Sequence, residues 1–168
     1  EIGALGGSNL PIKSNFQGHS GFDAISGKAN FDISEWMLLR MLDWCETHSV
    51  AVALLVKISV ARKVLRQAWE KNRKIGGASM HRIDAKRWFG AAVDACLLVM
   101  SGDKKADQLS PVFSSVGGEL ETTIGYKHGQ LVGDVRRYEE VSDLLGASTL
   151  RWRSGVKHDC SKVMEFTQ

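Results

Sequence analysis

The sequence predicts an α/β fold, in which helices pack against one sheet. Three observations support this prediction. Apolar residues recur at helical spacing over 33–48, residues 50–56 are continuously apolar, and a second helical pattern over 60–72 precedes two further strand-like stretches. The chain has 168 residues, which corresponds to about one domain and is long enough to bury a core without disulfides or metals.

The first helix is predicted to begin after Asp32, which forms a capping-box pattern with Glu35, and to end near His48. Residues 1–31 are rich in glycine and show no apolar period, which predicts a long loop of the kind that is usually functional. The residues expected on the core-facing side of the helix are Ile33, Trp36, Met37, Arg40, Met41 and Trp44, widened by Leu38, Leu42 and Cys45.

The stretch over 50–56 is apolar without alternation, which is typical of a strand buried on both faces. A second helix is predicted over 60–72, with Ser59 as its cap. Gly76 and Gly77 then break the helical pattern.

Two more strands are predicted over 78–83 and 92–100, joined by a loop that contains Trp88 and Phe89. Because a helix connects the apolar strand at 50–56 to the strand at 78–83, we expect those two strands to form a parallel pair. The connection between the last two strands is short, so we expect them to be antiparallel neighbours.

The composition becomes polar and charged after Gly102, which predicts a boundary between residues 1–102 and a small β-rich extension over 103–168. The elements predicted in that extension are a hairpin over 122–135, with its turn at 127–130, and a short helix over 138–145.

The composition excludes several classes of protein. The chain is 43% hydrophobic and 24% charged, which is ordinary for a globular protein. It contains no run of about 18 apolar residues and opens without a signal peptide, so we expect no membrane span and a cytoplasmic location. The cysteines Cys45, Cys96 and Cys160 lie far apart, which predicts free buried thiols. The five histidines are scattered, so we expect no metal site.

Standard phosphate-binding and nucleophile motifs are absent from the sequence. No glycine-rich GxGxxG motif follows a strand, and neither GxxxxGK[ST] nor GxSxG occurs. We therefore predict neither a dinucleotide site nor a P-loop nucleotide site. We also predict no serine nucleophile at a strand-to-helix turn.

The positive charge of the chain is concentrated in one window. The net charge is +3, but residues 57–87 hold ten basic and two acidic side chains, so that this window carries +8 and the rest −5. Such a local field suits a polyanion such as DNA, although a solvated outer helix face would look the same.

Two aromatic segments with basic neighbours are candidate nucleic-acid contacts. Trp88 and Phe89 follow Lys86-Arg87 at a predicted sheet end, where an aromatic ring can stack on a base. The alternative is that they cap the hydrophobic core. Residues 151–158 interleave Arg, Lys and Trp, which suits a nucleic-acid backbone, and the alternative is a strand with a solvated basic face.

Four strings of the sequence resemble one enzyme family. They are residues 14–18, 23–28, 30–37 and 151–165, and they are similar to segments of S-adenosylmethionine-dependent DNA adenine-N6 methyltransferases of restriction-modification systems, of the gamma-type domain order. The resemblance implies that residues 1–102 form the C-terminal half of a Rossmann-like class I methyltransferase sheet. Residues 103–168 would begin the target-recognition region.

The resemblance also implies roles for individual residues. The family places an aromatic ring between its sixth and seventh strands to stack on the flipped adenine, and this position falls on Trp88 or Phe89. The residues expected to contact DNA are Lys13, Asn15, Arg87, Arg151, Arg153, Lys157 and His158.

The family's catalytic Asn-Pro-Pro-aromatic motif is missing, because the only prolines are Pro11 and Pro111. The glycine-rich cofactor loop is missing as well, and the chain opens on Glu1 without an initiator Met. We therefore expect a fragment with no catalytic residue of its own, whose parent enzyme uses S-adenosylmethionine while this chain alone does not bind it. Its unpaired sheet edge would favour a homo-oligomer.

Two other hypotheses stay open at this point. A stand-alone DNA- or RNA-binding module would use residues 57–87 and 151–157 and would bind in a salt-dependent way. A structural or assembly fragment would form oligomers and would have no affinity for nucleic acid.

Overall fold

The computed structural model describes residues 33–102, 107–146 and 150. These residues form four α-helices, six strands and one 3-10 turn. In chain order the elements are α1 (Ile33–His48), β1 (Ala51–Lys57), α2 (Ile58–Glu70), β2 (Gly76–Ile83), α3 (Ala85–Phe89), β3 (Ala95–Ser101), β4 (Leu109–Phe113), β5 (Leu120–Lys127), β6 (Gln130–Val132), α4 (Val135–Glu140) and the 3-10 turn Ser142–Leu144.

All six strands belong to one sheet, in the order β1-β3-β2-β4-β5-β6. Strand β3 is antiparallel to both β1 and β2, β4 is parallel to β2, and β5 and β6 are antiparallel to their neighbours. Strands β1, β2 and β4 therefore run in the same direction. The predicted α/β class is confirmed as a mixed sheet with helices.

The predicted parallel pairing of β1 with β2 is wrong, although the two strands do run in the same direction. Strand β3 lies between them, with Val56 opposite Cys96 on one side and Arg82 opposite Cys96 on the other. The connection through α2 leaves one strand position between β1 and β2. The short α3 then leads the chain into β3, which occupies that position. The predicted antiparallel pairing of β2 with β3 is confirmed.

One hydrophobic core lies between the sheet and the helices α1 and α2. Trp69 of α2 is almost fully buried and packs in a single cluster with residues of both helices and five strands. The members of the cluster are Leu38, Leu39, Leu42, Val56, Val60, Ala61, Val64, Leu65, Ala68, Trp69, Ile75, Ala78, Met80, Cys96, Leu98, Met100, Val112 and Ile124. Because the sheet residues of this cluster alternate along their strands, both helices cover the same face.

Helix α1 buries only part of the face that its sequence predicts. Leu38, Leu42 and Cys45 are fully buried, whereas Met37 and Trp44 are exposed. The helix is apolar around most of its circumference, so its period does not identify the buried stripe.

Glu35 is buried in this helix, and its Oε2 lies 3.6 Å from Lys63 Nζ of α2. This ion pair connects the two helices. Asp32, its predicted capping partner, lies outside the described residues.

The predicted burial of strand β1 on both faces is wrong as well. Ala51, Ala53 and Leu55 are exposed, and Val56 is its buried residue. The strand is the first in the sheet order, and α1 and α2 pack only on the face that carries Val56.

The segment after Gly102 continues the same sheet. Strand β4, which the sequence did not predict, pairs in parallel with β2 through Met80–Val112 and His81–Phe113. Strands from both sides of the predicted boundary at 102 thus hydrogen-bond in one sheet.

The predicted hairpin is confirmed as β5 and β6. His128 and Gly129 have φ values of 49° and 80°, as a two-residue turn with both central residues left-handed requires. The predicted terminal helix is present as α4 and the 3-10 turn, and it begins three residues earlier than expected.

None of the helices in the described ranges is long and apolar enough to cross a bilayer.

Candidate nucleic-acid interface

The carboxyl ends of β1, β2 and β4 lie along one edge of the sheet, because these strands share a direction. Open α/β sheets bind their ligands at this edge, in crevices outside the strand ends. Here β1 leads into α2 and β2 leads into α3, so the beginnings of two helices stand above the edge.

Helix α3 replaces the loop that the sequence predicts between β2 and β3. The Asp84 side chain accepts a hydrogen bond from the Arg87 backbone N–H at 2.9 Å, and so caps the helix. Gly90 ends the helix at φ 64°, a left-handed conformation that favours glycine. These two signals are visible in the sequence, and together they mark a single helical turn.

The two candidate stacking residues are at the surface of α3. Trp88 is 66% exposed and Phe89 is 61% exposed, so neither side chain caps the hydrophobic core. The guanidinium carbon of Arg87 lies 5.2 Å from the centroid of the Trp88 ring, which is a cation–π contact. Arg87 therefore covers part of the indole and carries a positive charge beside it.

A groove runs below α3 along the sheet edge. It consists of two cavities of about 480 and about 420 Å³ that share Ile58, Val93 and Asp94. We call this feature the edge groove. Its apolar lining residues are Ile58, Ile83, Ala85, Ala91, Ala92, Val93 and Ala95, and its polar ones are Lys57, Ser59, Arg62, Arg82, Asp84, Lys86, Asp94 and Ser114.

The charged side chains of the edge groove differ in how they are paired. Arg82 donates to Glu121 at 3.2 Å, and Asp84 is occupied by the cap of α3. Arg62 and Lys86 are exposed and make no ion pair with any described residue. With four basic and two acidic lining side chains, the groove is positive.

Other basic residues of the 57–87 window have structural roles. Arg73 donates to Glu46 Oε2 at 2.6 Å and to Asp43 Oδ1 at 2.7 Å, at the end of α1. The hydrogen bonds from Arg73 lower the pKa of Glu46, against the opposing effect of its burial. Lys63 is held by Glu35. The predicted basic surface is thus smaller than the composition of the window indicates.

The cysteines in the described ranges have no role at this edge. Cys45 and Cys96 are free and buried, as predicted. Burial raises the pKa of the Cys96 thiol to about 11 and also raises the pKa of Cys45, so neither is a thiolate near neutral pH. Among the residues that the structure describes, no group of three His, Cys, Asp or Glu side chains is placed to hold a metal ion. Cys160 lies outside the description.

Several predicted contacts lie outside the described residues, namely Lys13, Asn15, Arg151, Arg153, Lys157 and His158. Of the predicted site, the structure therefore brings together Arg87, Trp88 and Phe89. It adds Arg62 and Lys86, which sequence reasoning placed only within a basic window. Since the groove is assembled from separate segments, no local sequence signal singles out these two residues.

A comparison with known proteins supports the predicted resemblance to restriction-modification methyltransferases. One relative is the Type II methyltransferase M.NspV of Nostoc sp. (strain ATCC 29411 / PCC 7524), which is 38% identical to this chain over 166 residues, or 98% of the chain. The chain spans 35% of the length of that relative. No known protein-family profile and no solved structure matches the chain.

Proposed function

We propose that this chain is part of a restriction-modification enzyme that methylates the N6 amine of adenine in DNA, with S-adenosylmethionine as the methyl donor. The observation that carries the proposal is the 38% identity to a Type II methyltransferase along nearly the whole chain. Residues 1–102 would be the C-terminal half of a Rossmann-like sheet, and residues 103–168 would begin the target-recognition region.

The described residues do not fit S-adenosylmethionine itself. The cofactor carries a positively charged sulfonium, whereas the edge groove is lined by Arg62, Arg82 and Lys86. No described strand is followed by the glycine-rich motif with which a Rossmann-like sheet approaches its ligand. We therefore assign no described residue to the cofactor and expect this chain alone to be inactive.

The role that we assign to α3 is to receive the target base. A base that leaves the duplex loses its stacking and needs a new partner, and contact with an aromatic ring is worth about 1–3 kcal/mol. The exposed rings of Trp88 and Phe89 at the ligand-binding edge of the sheet supply such a surface. Arg87, stacked on Trp88, places a cation where the nucleotide's phosphate would approach.

The proposal is tested in the complete gene product that contains this chain. We expect it to transfer tritiated methyl groups from S-adenosylmethionine to DNA, with N6-methyladenine as the product in a nucleoside digest. Trp88→Ala or Phe89→Ala should lower the rate at least tenfold, which corresponds to about 1.4 kcal/mol of lost stacking. The same variant should reduce the fluorescence change of 2-aminopurine placed at the target adenine.

Trp44→Ala is the matched control, because Trp44 is a tryptophan that is 51% exposed near the end of α1, away from α3. Methylation of cytosine instead of adenine would reject the N6 assignment. Full activity in both the Trp88 and the Phe89 variants would reject the stacking role.

A further inference from the structure

We propose that the edge groove binds a backbone phosphate of the DNA strand that carries the target base, with Arg62 and Lys86 as the phosphate-binding cations. The inference rests on the proposed function, since it takes DNA as the substrate. It adds two residues from different helices and a specific location for the phosphodiester backbone.

The position of the groove supports this assignment. Lys86 belongs to the same short helix as Trp88, so α3 contributes both to the wall of the groove and to the exposed aromatic surface. Arg62 stands in the second cavity, which continues from the first through Ile58, Val93 and Asp94. A nucleotide whose base contacts α3 would thus carry its phosphates along a channel with a cation at each end.

The pairing of the side chains supports it as well. A cation that is already held in an ion pair gains little from a phosphate, as is the case for Arg82 with Glu121. Arg62 and Lys86 have no such partner among the described residues. Asp94 is the carboxylate that would oppose an anion in the groove, and Asp84 is engaged with the Arg87 N–H. The positive side chains outnumber these two.

Helix α2 offers a matched comparison within one element. Arg62 and Arg66 are one helical turn apart, and both are exposed and unpaired in the described structure. Arg62 lines the groove, whereas Arg66 does not. Diffuse attraction to DNA would treat the two residues alike, but a phosphate bound in the groove would distinguish them.

The experiment measures binding of the 168-residue chain to a fluorescein-labelled DNA duplex of about 20 base pairs, by anisotropy over a series of salt concentrations. We expect Arg62→Ala and Lys86→Ala each to weaken binding and to make the plot of log K against log salt shallower by about 0.9. Arg66→Ala and Lys71→Ala, which remove exposed cations outside the groove, should change the slope by less than half of that.

Arg62→Lys and Lys86→Arg should restore the slope, since both keep the charge. Equal changes of slope in all four alanine variants would overturn the proposal in favour of diffuse attraction. Unchanged slopes in the two groove variants would also overturn it, and so would a chain that does not bind the duplex. If the two groove variants keep the native slope while the complete gene product methylates adenine, phosphate binding in the groove is rejected and the proposed function is not. If the two variants change the slope as expected but the complete gene product does not methylate adenine, the proposed function is rejected and the groove is not.

Discussion

At the scale of single residues, position 102 requires glycine because of a close contact that its neighbours in sequence do not reveal. A Cβ atom added at this position would overlap the carbonyl group of Cys45 in α1, which is backbone and cannot turn away. Gly102 also donates its N–H to the Val50 carbonyl at 3.1 Å. We expect Gly102→Ala to lower the free energy of unfolding by about 1–3 kcal/mol, measured by urea denaturation.

Gly146→Ala is the control for this variant, because no atom lies within 4 Å of the added Cβ and the backbone needs no left-handed conformation. A Gly102→Ala protein as stable as the native chain would show that α1 adjusts without cost. In the sequence, Gly102 marks only a change of composition. Its packing depends on a helix that is distant along the chain, so local pattern does not predict it.

At the scale of elements, Arg73 and Glu46 join the end of α1 to the connection between α2 and β2. Glu46 accepts from Arg73 and also from the Lys74 backbone N–H at 2.7 Å. Because the folded pKa of Glu46 lies below its ordinary value of 4.5, its contribution is complete above that pH and is lost as the pH falls through the folded pKa.

We therefore expect Glu46→Gln to lower the free energy of unfolding by about 1–2 kcal/mol at neutral pH, and by less at acid pH, where the native carboxyl is protonated too. Urea denaturation at both pH values measures the difference. The control is Glu70→Gln, which removes an exposed carboxylate that has no ion pair among the described residues. The same loss at both pH values would contradict the assigned charge interaction.

Helix and strand positions were largely predictable, whereas the buried faces of α1 and β1 and the neighbour of β1 in the sheet were not. The apolar period locates α1 and α2, and the turn residues locate the hairpin of β5 and β6. Strand β4 escaped prediction because Pro111 interrupts its pattern, and proline normally excludes a central strand. The structure tolerates it there because the parallel pairing with β2 begins at Val112, after the proline.

The candidate site was predictable to a similar extent. The sequence alone placed Trp88 and Phe89 at a sheet end, and the structure shows both rings exposed there. It did not separate Arg62 from Arg73, because the difference lies in the carboxylates that each side chain meets in three dimensions.

At the scale of the whole molecule, β1 is an edge strand of the sheet that the described residues form, and among those residues the side chains of Ala51, Ala53 and Leu55 are exposed on the face of β1 opposite the helices. Unprotected apolar edges pair with other strands. We expect this chain to self-associate through β1, with a sedimentation coefficient that rises with concentration.

Ala53→Lys should reduce that rise, because a lysine on an edge strand opposes pairing with another chain. Gln130→Lys is the control, since it lies on the opposite edge strand, β6, and should leave the rise unchanged. A native chain that sediments as a monomer throughout, or an Ala53→Lys chain that associates as the native one does, would show that the β1 edge is not an interface.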